Sequence, residues 1–513
     1  MYSAIAGLRR TTHTHVIGGS RSGKSKFLEW LIRNDLAENQ PFCVIDWHGT
    51  LYQDVLKYLA YTKPRREFVL LNPAMPDWIT GFNPFTNTGQ DTSALVARRV
   101  GAVARAWGVT DTNEMPTFER LASLVFDFAV RSGETLPNAA LLLRRHKKEL
   151  RRYAIQITTD SHMREEWWEL SATAKREKDW HYEVLALRNR LMRFLKFTGI
   201  RRFMGLKDGN VEIRQALEGG KNVLVNLAQT DFLDRQSAGV FAALLLNEFF
   251  EAAMARAGTK KLYTLYLDEF QEYITPDLGA MLDQVLKGGL HLVLAHHHLG
   301  QLHEDARLRK SIFQNAGMRF VFGMRDVEDS ELLAKQILLN RVNERDIKQK
   351  FYSVRMRPLQ WTGQSTSKGE YGETVTLTDH LSLIPDETVE SGVAEASTQE
   401  KVLKVAEEFT DMEQRRCFAK LDRAKAVKWE VPFMEQLHVR EAVVRAYELE
   451  LYGKQGARSA GEVDRLLEES EKAFIKKAND HDGDDGPVVR RKKVDGSGPR
   501  TRMKSNGNVN AHS

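Results

Sequence analysis

The segment GGSRSGKS, at residues 18–25, constrains the fold of this chain more than any other feature. It follows residues 13–17 (HTHVI), which predict a strand, and precedes residues 24–34, whose apolar side chains recur at helical spacing. In a strand–loop–helix unit with this pattern, backbone N–H groups wrap a phosphate, the lysine reaches the β- and γ-phosphate oxygens, and the serine hydroxyl takes a Mg²⁺ position. The predicted nucleotide-binding residues are Gly18, Gly19, Ser20, Arg21, Ser22, Gly23, Lys24 and Ser25.

An acidic pair supplies the second half of such a site. Asp268 and Glu269 follow the apolar run of residues 262–267. We expect Asp268, with Ser25, to hold Mg²⁺, and Glu269 to orient or deprotonate the attacking water. The alternative is that the pair only caps the following turn. Because switch GTPases generally lack this second acid and additional-strand ATPases carry it, the pair favours hydrolysis of ATP, with ATP and Mg²⁺ as cofactors.

Further apolar runs indicate the fold class. Runs at residues 41–46, 67–72, 221–228, 290–296 and 318–324 are of the kind that is buried in parallel sheets. Segments with helical periodicity alternate with them. The sequence therefore predicts an α/β fold with a mostly parallel sheet of at least six strands flanked by helices, in an order that the sequence does not reveal.

The remainder of the chain divides by its residue pattern. Helical spacing from about Ser93 to Thr198 predicts an all-α insertion. Residues 361–373, rich in Ser, Thr, Gly and Gln, predict a loop, and residues 415–432 predict a hairpin that closes the core. The predicted units are 1–92 and 206–432 for the two parts of the core, 93–205 for the all-α insertion, 433–478 for a charged helical extension and 479–513 for a disordered basic tail.

The composition permits some partners and excludes some kinds of site. Lysine and arginine number 75 against 69 acidic residues, and this mildly basic balance permits contact with nucleic acid without requiring it. Cys43 and Cys417 have no spaced Cys or His partners, so neither a disulfide framework nor a zinc site is predicted. The sequence shows no run of about 18–20 apolar residues and no signal peptide. We expect a cytoplasmic protein with no transmembrane segment of its own.

Seven sequence blocks follow one another as they do in the HerA/FtsK superfamily, which this chain resembles over roughly residues 12–335. The blocks are GGSRSGKS at Gly18, VIDWHGTL at Val44, GFNPF at Gly81, GGKNVLVNLA at Gly219, LYLDEFQEY at Leu265, GGLHLVLAHHHLGQL at Gly288 and FQNAGMRFVFGMRDVEDSELLAK at Phe313. The chain looks most similar to conjugative coupling ATPases of the TraG/TraD type, which serve type IV secretion, and to HerA-like DNA translocases. The resemblance implies a RecA-like motor core with Walker B residues 265–269 and sensor residues 290–302, assembled as a homo-hexameric ring that threads DNA. It also implies that the all-α insertion takes part in substrate recognition.

The chain departs from this family pattern in its domains and in its sensor block. Relatives place transmembrane helices or a barrel domain before the P-loop, so we expect either a membrane-anchored or scaffold partner protein or a soluble branch with another task. The sensor block carries His297 where Gln is usual. A histidine can still donate to the γ-phosphate, and its protonation would make the contact pH-dependent. A metal site formed by residues 296–298 is not favoured, because three adjacent histidines on a strand alternate faces.

A third departure concerns the residue that acts in trans on the neighbouring subunit's ATP. Relatives often carry an arginine where this chain has Lys287, and a lysine cannot make the bidentate contact of a guanidinium group. Arg319 and Arg325, at the two ends of the following strand, are the substitute candidates. The alternative is that both are ordinary surface arginines.

Other residues admit two interpretations each. Asp46 either contacts the catalytic water or caps the next helix. Trp167, Trp168 and Trp180 either stack on nucleobases or form the core of the helical insertion. The segment RRHKKELRRY, which begins at Arg144, is either a phosphate-binding patch or a solvated helix face.

Two functions remain open from the sequence. The first is a ring-forming ATPase that moves DNA in conjugative transfer or DNA processing, with Lys24, Glu269 and His297 as catalytic residues. The second is an ATP-dependent adaptor that docks a relaxase, an effector or a nuclease without moving DNA. The intact pairing of Lys24 with Asp268 and Glu269 favours the first.

Overall fold

The computed structural model describes residues 1–86, 91–109, 115–259, 261–273, 282, 284–302, 306–338 and 347–482. Its strands in chain order are β1 Thr14–Ile17, β2 Phe42–Asp46, β3 Phe68–Leu71, β4 Trp78–Ile79, β5 Asn222–Asn226, β6 Tyr263–Asp268, β7 Leu290–His296, β8 Met318–Phe322, β9 Ile347–Gly369, β10 Gly372–Glu395, β11 Arg416–Leu421, β12 Val427–Glu430 and β13 Arg458–Ser459.

The helices in chain order are α1 Tyr2–Leu8, α2 Lys24–Ala37, α3 Thr50–Thr62, α4 Thr92–Ala106, α5 Pro116–Ser132, α6 Leu136–Ala140, α7 Lys148–Ile157, α8 Ser161–Thr173, α9 Glu177–Lys196, α10 Thr198–Gly205, α11 Ile213–Gly219, α12 Arg235–Met254, α13 Ala306–Asn315, α14 Val327–Leu338, α15 Thr398–Thr410, α16 Glu441–Lys454 and α17 Ala460–Asp482. Short 3₁₀ turns occur at Leu141–Leu143, Phe270–Glu272 and Leu299–Leu302.

Within the described residues, nine strands form one sheet in the order β12-β11-β8-β1-β7-β6-β2-β5-β3. In this sheet order, the seven consecutive strands that begin with β8 and end with β3 run parallel to one another. Every residue of these strands is buried. The antiparallel hairpin β11–β12 continues the sheet beyond β8, as residues 415–432 predicted. The predicted α/β fold with a mostly parallel sheet is therefore confirmed.

The position of β7 distinguishes this sheet from simpler nucleotide-binding folds. β7 pairs with both β1, which leads into the P-loop, and β6, which ends in the acidic pair. These two strands are therefore separated by an additional strand, as the acidic pair predicted. Since the central strands are parallel, the segments that follow β1, β2, β6 and β7 all lie at the same edge of the sheet.

Helices cover both faces of the sheet and create two hydrophobic cores. On β2, Cys43 and Ile45 face one core, whereas Phe42 and Val44 face the other, because successive side chains of a strand alternate. The first core continues into the helical insertion formed by α4 to α10. The second core includes the apolar faces of α2 and α3.

The helical insertion has its own aromatic core, to which the C-terminal helix contributes. Trp167 and Trp180 are 0% and 1% exposed, so they are core residues, whereas Trp168 is 61% exposed. Phe474 on α17 packs against Phe128 on α5, with ring centroids 5.8 Å apart. The predicted charged helical extension therefore packs back on the insertion.

One predicted loop is wrong. Residues 361–373 lie in a long antiparallel ribbon, in which β9 pairs with β10 around the turn between Gly369 and Gly372. The polar composition suggested a loop, but the pairing of strands depends on backbone hydrogen bonds, and threonine fits a strand well. Stacking of Trp361 on His380 across the ribbon, with centroids 4.6 Å apart, adds a side-chain contact.

The predicted boundary of the C-terminal tail is also wrong by a few residues. We expected a disordered tail from residue 479, yet α17 continues to Asp482. Its buried Ala478 and Phe474 hold the last turns against the insertion. The rest of the predicted tail, residues 483–513, lies outside the described residues.

One described helix, α12, has the length and the apolar composition of a membrane-crossing segment. In the fold, 83% of its most apolar stretch is buried by the sheet and neighbouring helices. This is the environment of a core helix.

Candidate nucleotide site

The P-loop connects β1 to α2 and is shaped by its glycines. A Cβ atom at Gly18 would lie 2.5 Å from the Cβ of Phe322 on the adjacent strand, so this position has no room for a side chain. Gly23, which precedes the first residue of α2, has a φ of 112°, a conformation that glycine adopts without strain. The Gly19 N–H donates to the Gly323 carbonyl at 2.8 Å. The loop thus opens at the N-terminus of α2, where N–H groups attract an anion.

Lys24 is buried in this loop and forms one end of a chain of polar contacts. Its Nζ atom donates to the Gly18 carbonyl at 2.6 Å and lies 2.7 Å from Nδ1 of His297. The other ring nitrogen of His297, Nε2, lies 2.8 Å from Oε1 of Glu269. Since an ammonium group can only donate, Nδ1 of His297 accepts and Nε2 donates to Glu269. The structure therefore brings together Lys24, His297 and Glu269, which come from three separate segments.

Glu269 is held in an uncommon backbone conformation directly after β6. Its φ of 50° lies in the left-handed region, which costs a non-glycine residue about 1–3 kcal/mol. Gln271 Nε2 donates to Oε2 of Glu269 at 2.7 Å, so both carboxylate oxygens accept hydrogen bonds. Burial raises the pKa of Glu269, but the hydrogen bonds from His297 and Gln271 outweigh burial and place the pKa below its usual value. The side chain is thus an oriented, ionised carboxylate.

Asp268 lies in a different electrostatic environment. Burial, together with the nearby carboxylates of Asp46 and Glu269, raises the pKa of Asp268 to about 8. Such crowding of buried acids is relieved by a cation. Asp268 and the exposed hydroxyl of Ser25, in the first turn of α2, offer the oxygen ligands that Mg²⁺ prefers. The donor set therefore fits this metal.

Asp46 caps the helix that follows its strand. Its two carboxylate oxygens accept the backbone N–H groups of His48 at 3.0 Å and of Tyr52 at 2.7 Å. These bonds fix the turn into α3 and support the capping interpretation. The turn places the exposed His48 close enough for its ring, Glu269 and His297 to bring their ligand atoms within 4.8 Å of one another. Sequence reasoning did not find this contribution of His48.

The three trans-acting candidates occupy different environments. Arg319 is 7% exposed, and its guanidinium donates to the Phe313 carbonyl of the same chain, so its burial argues against contact with another subunit. Lys287 is exposed but precedes β7, at the end of that strand away from the P-loop. Arg325 is exposed and follows β8, on the edge that carries the P-loop. Of the three candidates, Arg325 is therefore the one that is both exposed and on the edge that carries the P-loop.

Four buried histidines lie on β7 and on or beside β1, behind the site. His15 and His296 contact each other through their Nε2 atoms, and His291 contacts the Thr14 hydroxyl and the Thr12 carbonyl. His13 accepts the Leu292 N–H on Nδ1. Sequence analysis placed these residues in or beside predicted strands and considered His296 only in a metal site that it did not favour. Because the side chain of His296 contacts His15 in this cluster, it does not form a metal site with the two histidines that follow.

The strand order, the P-loop and the acidic pair define a RecA-like P-loop fold. No family model and no curated protein matches the chain. Solved structures similar to it include the unbound bacterial conjugative coupling protein TrwB, with 15% identity, a TM-score of 0.49, and coverage of 86% of this chain and 88% of that chain. The plasmid coupling protein TrwB with ADP and Mg²⁺ has the same identity and TM-score, with coverage of 85% and 89%. VirB4 of Thermoanaerobacter pseudethanolicus has 12% identity, a TM-score of 0.40, and coverage of 64% and 82%.

Proposed function

We propose that this protein is a Mg²⁺-dependent ATPase that assembles as a ring and uses ATP hydrolysis to move DNA. The observation that carries the ATPase part is the contact chain from Lys24 through His297 to Glu269, next to the crowded carboxylate of Asp268. This arrangement combines a phosphate-binding lysine, a metal-binding acid and an ionised carboxylate in one place. ATP hydrolysis needs these three groups.

Each residue has a separate task in this proposal. The N–H groups of the P-loop and Lys24 bind the phosphates, while Ser25 and Asp268 hold the metal ion. Mg²⁺, when bound, neutralises charge on the phosphate oxygens. Glu269 accepts a hydrogen bond from the attacking water and orients it, because its carboxylate is ionised and fixed by Gln271. His297 donates to Glu269 and couples its orientation to the position of Lys24.

The movement of DNA and the ring are inferred from the sequence. The ordered blocks that resemble the HerA/FtsK superfamily support both, and the exposed Arg325 on the nucleotide edge supports a site shared between subunits. In such a ring, Arg325 would reach the neighbouring subunit's ATP and stabilise the charge of the transition state.

The experiment compares the ATPase rates of wild type and Glu269→Gln, with and without DNA, and images the particles under the same conditions. We expect DNA to stimulate the wild type, and Glu269→Gln to bind ATP while losing at least about a hundredfold in rate. Lys24→Ala should lose ATP binding itself. A wild type that binds ATP but never hydrolyses it would contradict the proposal, and a monomer under all conditions would contradict the ring.

A second function, an ATP-dependent docking adaptor, is favoured by the β9–β10 ribbon, whose described residues are almost all exposed. A ribbon of this length offers a large exposed surface to a protein partner. Glu269→Gln separates the two functions. A motor that cannot hydrolyse ATP stops moving DNA, whereas an adaptor that acts by ATP-driven assembly remains functional when it is locked in the ATP-bound form.

A further inference from the structure

A basic groove of about 970 Å³ opens in the helical insertion, away from the P-loop. We define the basic groove by the segments that line it, which are the turn before α7, the helices α7 and α8, the turn between α8 and α9, and α9 as far as Met192. Five arginines and two lysines line it, against a single carboxylate, Glu177. A surface with this balance attracts an anionic polymer, since each lysine or arginine can contact one phosphate.

The wall of the groove also carries an aromatic side chain that the core does not use. Trp168 on α8 lines the groove and is 61% exposed, whereas its neighbour Trp167 is fully buried. Trp168 therefore presents its indole to solvent in a groove whose other lining residues are mostly basic. It offers a flat surface on which an unpaired nucleobase can stack.

Arg151 at the base of the groove fixes its shape. Its guanidinium donates to the carbonyls of Leu142, Arg144 and Arg145 at 3.2, 2.8 and 2.8 Å. It also lies over the ring of Trp180, 4.6 Å from the centroid. These contacts hold the turn before α7, so the backbone that carries Arg144 and Arg145 is fixed before any ligand binds. Arg151 is therefore a positioning residue.

We propose that the basic groove binds a short stretch of single-stranded nucleic acid, with phosphates on Arg144, Arg152 and Arg188 and a base on Trp168. The volume of the groove is near the upper end of the range of roughly 300–1,000 Å³ that holds drug-sized ligands, so it admits a few unpaired nucleotides. A double helix could contact only the rim, and its stacked bases could not reach Trp168. An acidic peptide would satisfy the charge but would leave the indole without a partner.

The test measures binding of a fluorescent oligo-dT to the full-length chain without ATP. Trp168→Ala should weaken binding about five- to a hundredfold, the effect of losing one stacked base, and leave the salt dependence unchanged. Arg152→Gln should weaken binding and lower the slope of log K against log salt concentration by about 0.7, the value for one phosphate of a single strand. Stacking should also quench tryptophan fluorescence, and this quenching should be lost in Trp168→Phe.

Matched control variants lie in the same helical insertion but outside the groove. Tyr182→Ala removes another exposed aromatic side chain, and Lys178→Gln removes another exposed charge. In either control variant, the change in affinity and in salt slope should be only a small fraction of the change that the groove variants cause. All four positions are exposed, so the thermal stability should stay at the wild-type value.

Several outcomes would overturn the proposal. They are an unchanged affinity in Trp168→Ala, tighter binding of a duplex than of oligo-dT, and displacement of oligo-dT by a polyglutamate peptide of equal charge. The groove proposal does not rest on the proposed ATPase function, because binding is measured without ATP. If Glu269→Gln had no effect on ATPase activity, the prediction for Trp168 would stand unchanged.

Discussion

His15 and His296 face each other between β1 and β7, with their Nε2 atoms 2.7 Å apart and their rings stacked. Nδ1 of His296 lies 3.0 Å from the His298 carbonyl, so it carries a proton and leaves Nε2 as an acceptor. His15 therefore donates from Nε2. A proton added to Nε2 of His296 would place two donors against each other, and a proton added to the buried Nδ1 of His15 would find no acceptor, so both rings are most stable when neutral.

Acid should destabilise the protein through these buried histidines. Burial lowers the pKa of His15 to about 3, and it lowers the pKa values of His291 and His296 well below the ordinary value. The unfolded chain takes up protons below about pH 6.5 while the folded chain does not, so stability falls as the pH drops, by up to about 1.4 kcal/mol per pH unit for each histidine. Thermal melting at a series of pH values measures this loss. His15→Gln keeps a donor toward His296 and should show a shallower loss, and an equal loss would contradict the assignment.

Asp268 should have the opposite effect on the pH dependence of stability. Its folded pKa of about 8 lies above the unfolded value near 3.9, so the folded state binds the extra proton and loses stability as the pH rises through that window. Asp268→Asn should remove this loss and melt at a higher temperature than wild type above about pH 8, by the equivalent of at least about 1.4 kcal/mol. Mg²⁺ with ADP should raise the melting temperature of the wild type, and the variant should lack the metal-dependent part. A variant that gains the same stability from Mg²⁺ would exclude Asp268 as a ligand.

Gln271 should set the pH range in which Glu269 acts. Because Gln271 donates to Glu269 and helps to keep its pKa low, Gln271→Ala should raise that pKa. The acidic limb of the ATPase pH–rate profile should then move to higher pH by up to about one unit, the equivalent of one charge-assisted hydrogen bond. Gln215→Ala, on the exposed surface of α11, is the matched control. A profile that changes in height but not in position would show that Gln271 affects folding only.

The parts of the site that could be predicted from the sequence are the local ones. The P-loop and the pair Asp268–Glu269 each occupy a few consecutive residues, so their chemistry can be predicted without knowledge of the fold. His48 and His297 reach Glu269 only because β2, β6 and β7 end at the same edge, and the sequence does not reveal the strand order. The contacts of the buried histidines were not predicted, because the partner of each histidine lies on a neighbouring strand that the sequence alone does not identify.

The β9–β10 ribbon should be separable from the core. Its described residues are almost all exposed, and its register places Val354, Met356, Leu381 and Leu383 on one face, each about half exposed or more. Replacing residues 350–393 by a short Gly-Ser linker should leave the melting temperature of the core within about 2 °C and abolish binding of a hydrophobic dye to the folded protein. Replacement of the 458–459 strand, which pairs with β4, is the contrasting change and should lower the melting temperature. A large loss of stability on removal of the ribbon would mean that it packs on the core in solution.

Arg99 should be the residue whose loss most weakens the junction between the helical insertion and the core. Its side chain is 1% exposed and contacts Glu248, Glu251 and the Pro84 carbonyl, so it ties α4 to α12. Arg99→Leu leaves the part-buried Glu248 without this partner and leaves the buried Glu251 with Arg98 alone, so it should cost up to about 3–5 kcal/mol, whereas Arg214→Leu, in the exposed pair with Glu218, should cost less than about 1 kcal/mol. Replacing Glu251 by an apolar residue as well should restore much of the lost stability, because two apolar side chains at positions 99 and 251 need no compensating charge. If the double variant were as unstable as the single one, packing of the arginine stem, not charge, would explain the effect.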